Sequence, residues 1–110
     1  MSAAALGREA LALARDLGDL HLCAQGLENL ATSAGAAGLG ARAARLLGAA
    51  ATLRETIGAA QPLPEQTDTE QAVAVARAAL GEEAWVATFA AGRALALEEA
   101  IAEALGEEPS

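Results

Sequence analysis

Residues 27–58, LENLATSAGAAGLGARAARLLGAAATLRETIG, decide the fold class of this chain. Leu39, Ala43, Leu46, Leu47, Ala50, Leu53 and Ile57 recur at spacings of three and four, which places them on one stripe of a helix. Arg42, Arg45, Arg54 and Glu55 fall largely off that stripe, and Gly58 follows it where a left-handed cap suits a residue without Cβ. Leu27, Leu30, Ala31 and Ala34 repeat the spacing upstream, closed by Gly35. Between these arms lie Gly35, Gly38 and Gly40, enough backbone freedom for a reversal, so two antiparallel helices are expected. Small residues at Ala31, Ala43, Gly48 and Ala50 are expected to let the arms approach closely.

Composition agrees with helix on helix. The 110 residues are 54% hydrophobic but only 2% aromatic, and no stretch alternates in the manner of a strand. No apolar run reaches the ~18 residues of a membrane span, and the N-terminus lacks the basic start of a signal peptide. The reading is cytoplasmic, with no membrane contact. The net charge of −8 and the absence of lysine argue against direct nucleic-acid binding, which needs clustered cations. A single cysteine, Cys23, excludes an internal disulfide.

Outward from the hairpin, residues 3–17 form a first helix. Leu6, Ala10, Leu13 and Leu17 share a face that Leu11 and Ala14 widen, and Gly18-Asp19 stops it. A second helix runs from about Leu20 to Ala34 and a third from about Leu39 to Ile57. Gly58–Thr67, with Pro62 and Pro64, is the linker, and Thr67 or Asp68 caps a fourth helix to Leu80. Glu82-Glu83 open a fifth, with Trp85, Val86 and Phe89 inward and Gly92 at its end. Leu97, Ile101 and Leu105 mark a sixth. One domain over 1–106 is expected, with a hairpin core at 20–58, C-terminal helices at 68–105 and a disordered tail at 107–110.

The small-and-large alternation of the hairpin resembles a tetratricopeptide repeat. Leu27 stands at that pattern's tryptophan site, Leu30 and Ala31 at its Leu-Gly step, Ala34 at its tyrosine site, and Ala43 and Leu47 at its A-x3-F step, followed by Ala50. Leu47 replaces the phenylalanine and Glu55 stands where proline would end the helix. The segments ARLLGAA and LGEEAW…GRALALEEA further resemble the C-terminal helical-repeat region of bacterial LuxR-type transcriptional activators and predicted signal-transduction ATPases. The resemblance covers roughly Leu27–Leu105 and implies a short tetratricopeptide-like α-solenoid of about six helices, non-enzymatic and working through another protein or domain. No helix-turn-helix accompanies it.

In that reading the first helix is the second arm of a hairpin without its first arm. It is expected to keep one side open and to pair with a second copy, as a homodimer. Leu6, Leu13, Leu17 and Leu22 are the expected exposed apolar set, with Arg42, Arg45 and Arg54 as candidate contacts to an anionic group or acidic peptide, against their use in surface salt bridges. The alternative function is a small-molecule effector site between helices near Trp85 and Phe89, with an arginine to meet the ligand's charge.

Nothing in the sequence forms a catalytic or metal constellation. His21 and Cys23, two apart on a helix, diverge; no cofactor motif occurs, and the glycines at 35, 38 and 40 follow no strand. Paired glutamates such as Glu82-Glu83 and Glu98-Glu99 read as solvated helix faces.

Overall fold

A computed structural model describes residues 2–106, apart from the side chains of residues 3 and 65. The described residues form six helices: α1 (Ala3–Leu17), α2 (Leu20–Ala36), α3 (Gly40–Ile57), α4 (Leu63–Leu80), α5 (Glu82–Arg93) and α6 (Leu97–Leu105). No strand occurs among them.

Local chemistry sets most of these boundaries. The Ser2 hydroxyl accepts from the Ala5 N–H at the start of α1, and the Asp19 carboxylate accepts from the Leu22 N–H at the start of α2. Gly18 and Gly58 end α1 and α3 in the left-handed conformation, at φ 69° and 65°. The α2–α3 turn is tight: the Leu39 N–H donates to the Ala34 carbonyl at 2.9 Å.

Two expected boundaries move. Gly35 lies within α2, which runs on to Ala36. The linker is also shorter than Gly58–Thr67, because α4 starts at Leu63 rather than Asp68, with Pro62 rather than Thr67 or Asp68 at its N-cap. Pro64 sits in the first turn, where its missing N–H costs no helical hydrogen bond. The Gln66 amide reaches back to the Gln61 carbonyl, and the Gln61 amide donates to Thr69 Oγ1 at 2.8 Å, tying the remaining linker onto α4.

Helix α3 is the axis of the molecule. It touches α2, α4, α5 and α6, and it buries Ala43, Ala44, Leu46, Leu47, Ala49, Ala50 and Leu53. Each of the first four helices packs on the next, and α2 also meets α4 as α3 meets α5. The α3–α5 crossing brings backbone against backbone. A Cβ on Gly48 would stand 2.2 Å from the Phe89 carbonyl oxygen, and one on Gly92 2.1 Å from that of Arg45. Gly48 therefore serves α5 and not the α2 arm, and Gly92 lies inside α5, which continues to Arg93. Thr52 Oγ1 donates to the Arg93 carbonyl at 3.0 Å across the same crossing.

The C-terminal helix turns back. α6 packs on α1, α2 and α3, and the molecule measures 37 × 35 × 30 Å, nearly equal in three directions. α1 thus has a neighbour on each of two flanks, α2 and α6, where the sequence led us to expect only one. The expected tail, 107–110, lies outside the described residues.

Candidate functional site

Two faces of α1 are apolar, and the fold uses one. Gly7, Leu11 and Ala14 turn inward, with Leu11 and Ala14 wholly buried. They do so because α2 presents Gly26 there: a Cβ on it would stand only 3.1 Å from the Leu11 Cβ. Leu6, Leu13 and Leu17, 55%, 59% and 67% exposed, line the other face with Ala10. Leu11 and Ala14, expected to widen the face of Leu6, Leu13 and Leu17, turn to the opposite, buried side instead. Glu9 and Asp16, both exposed, lie on one edge of the outer stripe at the helical spacing of 3.6 residues per turn. Leu22, also expected to be exposed, is so, but it belongs to α2.

The three arginines singled out from sequence are engaged within the chain. Arg42 donates from Nη1 and Nη2 to the carbonyls of Glu103 and Ala104, at 3.3 and 2.8 Å, closing the C-terminal end of α6. Arg45 grips the Glu103 carboxylate with Nε and Nη2, the latter at 2.9 Å. Those hydrogen bonds hold the Glu103 carboxyl below the usual carboxylate range although partial burial opposes the shift. Arg54 makes a two-pronged pair with Glu28, Nη2 to Oε1 at 2.8 Å and Nε to Oε2 at 3.0 Å. The side chains of that last pair are only 15% and 7% exposed. All three arginines clamp helices together, which removes them as ready contacts for an acidic ligand. Glu28 escaped the sequence reading, because it lies one residue beyond Leu27 and its partner is on another helix.

A cleft of ≈ 350 Å³ opens beside that pair, among α2, α3, α4 and α5. Leu47, Ala50, Ala51, Val73 and Phe89 supply apolar lining, and Glu28, Arg54, Gln61, Gln66 and Thr69 supply polar groups. Phe89 lines this space and Trp85 does not. Trp85 is buried against Phe89, with ring centroids 5.2 Å apart, and the Arg77 guanidinium lies 5.9 Å from its ring centroid. Arg77 in turn pairs with Glu82 across the single-residue link at Gly81. Of the two rings between which an effector site was expected, Phe89 lines this cleft, while Trp85 is buried in the core. Val86, expected inward, is exposed.

Cys23 is buried in α2, and burial, helped by nearby Asp19, pushes its thiol upward, away from a reactive thiolate. His21 is exposed. Among the described residues no three His, Cys, Asp or Glu side chains come together as a metal site, and no helix is long and apolar enough to cross a membrane.

No protein-family model matches the chain, and neither the curated proteins nor the solved structures contain a significant match to it.

Proposed function

We propose that this chain is a non-catalytic protein-binding module whose contact surface is the outer stripe of α1. One observation carries the reading: Leu6, Leu13 and Leu17 are all more than half exposed along one helix face. Leucines at these spacings are what an apposed amphipathic helix covers.

Charge selects among the helices that could cover it. The stripe is edged by Glu9 and Asp16, and the chain as a whole carries −8. A partner helix with an apolar face and a basic edge complements this surface. In an antiparallel pair of two copies, the acidic edges would meet each other. The two-fold homodimer is accordingly the rival occupant, strengthened by salt and not weakened by it.

The architecture we infer is tetratricopeptide-like in α2–α5. The contacts of α2 with α3 and of α4 with α5, joined by those of α2 with α4 and α3 with α5, support stacked hairpins. The back-folding of α6 is the departure from an open array. Origin in the helical-repeat region of a bacterial transcriptional or signalling regulator rests on the segments 44–50 and 80–100 alone.

The test uses two synthetic amphipathic helices with identical leucine faces, one edged with lysine and one with glutamate, titrated by fluorescence anisotropy. Preferential binding of the lysine peptide, lost in Leu13→Ser/Leu17→Ser, supports the proposal. Equal binding of both, or binding indifferent to those substitutions, sinks it. Light scattering decides on the rival: twice the 10.9 kDa chain mass would seat a second copy on the stripe.

A further inference from the structure

We infer that the cleft among α2–α5 is a binding site for a small uncharged molecule with an aromatic or aliphatic body and an amide or hydroxyl head. Its volume of ≈ 350 Å³ falls in the range of small-molecule pockets, roughly 300–1,000 Å³. Space exists because alanines stand at positions 50 and 51, where a larger side chain would reach toward Phe89 and Val73. The half-buried Phe89 ring offers the body an apolar floor, itself held from below by Trp85 at 5.2 Å.

Electrostatics excludes a charged occupant. Among the described side chains, the ionised groups lining the cleft are Arg54 and Glu28, joined by two hydrogen bonds and largely withdrawn from water. An anion competing for Arg54 would take from the buried Glu28 the two hydrogen bonds it accepts, and a cation competing for Glu28 would break the same two bonds. A neutral ligand leaves the pair whole. This reverses the expectation from sequence that an arginine here would meet a ligand's charge.

The head group is read by the opposite wall. A primary amide carries two N–H donors and one carbonyl acceptor. Gln61 uses one N–H on Thr69 and Gln66 uses one on the main-chain carbonyl of Gln61, bonds that fix both side chains in the lining. Their remaining polar capacity, with the Thr69 hydroxyl, matches a ligand that both donates and accepts. The site requires nothing of the α1 surface.

Three probes of one shape and different charge test this: benzamide, benzoate and benzylamine. The single tryptophan gives one indole N–H resonance, and its contact with Phe89 makes it a reporter. Benzamide is expected to shift it saturably, with the two charged probes at least about tenfold weaker. Ala51→Leu, which fills the cleft, abolishes the effect while the protein stays folded. Should that variant fail to fold, Thr69→Val must weaken benzamide alone by several fold. Benzoate or benzylamine binding as tightly as benzamide overturns the inference, as does the absence of saturation with all three. Benzamide binding that survives both substitutions also overturns it.

Discussion

Gly48 of α3 and Gly92 of α5 meet across their helix crossing, leaving no room for a Cβ on either: the nearest atoms would be the carbonyl oxygens of Phe89 and Arg45, at 2.2 and 2.1 Å. Backbone cannot step aside as a side-chain tip can. Gly48→Ala and Gly92→Ala are therefore each expected to cost about 3 kcal/mol, at the upper end for overpacking. Gly26→Ala meets only the Leu11 side chain and its Cα, at 3.1 Å and beyond, and should cost about 1 kcal/mol. Urea midpoints of the three variants test the ranking, and equal losses would contradict it.

The buried Glu28–Arg54 pair links α2 to α3. Glu28→Leu removes the acceptor of two hydrogen bonds from a largely buried guanidinium and should lower stability by about 3–5 kcal/mol. Adding Arg54→Met removes that buried charge as well, so the double variant should recover most of that loss. A double variant no more stable than the single one would show that the loss came from packing.

Leu11 and Leu13 are two residues apart and opposite in fate, the first fully buried and the second 59% exposed. Leu11→Ala should destabilise by about 2–5 kcal/mol through the cavity it leaves. Leu13→Ser should change stability by no more than about 0.5 kcal/mol. Chemical denaturation of the isolated chain reads both. A large loss in Leu13→Ser without a partner present would mean that the stripe is already covered by a second copy.

Acid should loosen α6. Arg45 holds the Glu103 carboxyl below its ordinary 4.5, so the unfolded chain takes up this proton before the folded one does. The stabilisation is fully present above 4.5 and disappears as the pH falls through the lower folded value. Glu55, held down by Arg93, acts in the same direction. Glu103→Gln should flatten the decline in urea midpoint between pH 7 and about pH 3. An unchanged acid slope in this variant would assign the decline to other carboxylates.

The helices and their ends were legible because their causes are local. Asp19 caps α2 from one residue away, Gly18 and Gly58 take left-handed backbone that other residues resist, and the three-and-four spacing of Leu46, Leu47, Ala50 and Leu53 needs only a helix to bring it onto one side. The start of α4 was hidden by Pro62 and Pro64, which signal a linker and a first helical turn with the same chemistry.

Of the candidate sites, the exposed leucines of α1 could be named in advance, but not which apolar side of that helix would turn inward, since periodicity ranks faces by content and not by what awaits them. Gly26 of α2 decided that by admitting Leu11. The cleft and the arginine clamps were invisible for a related reason: Arg45 and Glu103 are 58 residues apart, and Arg54 and Glu28 are 26 apart. The sequence by itself determined an all-helical chain, its turns and its acidic surface, because each follows from neighbours within a few residues. Only the tertiary structure decided which charges cancel, where α6 returns, and where a space remains beside Phe89, because each depends on the distance between helices that the chain brings together from afar.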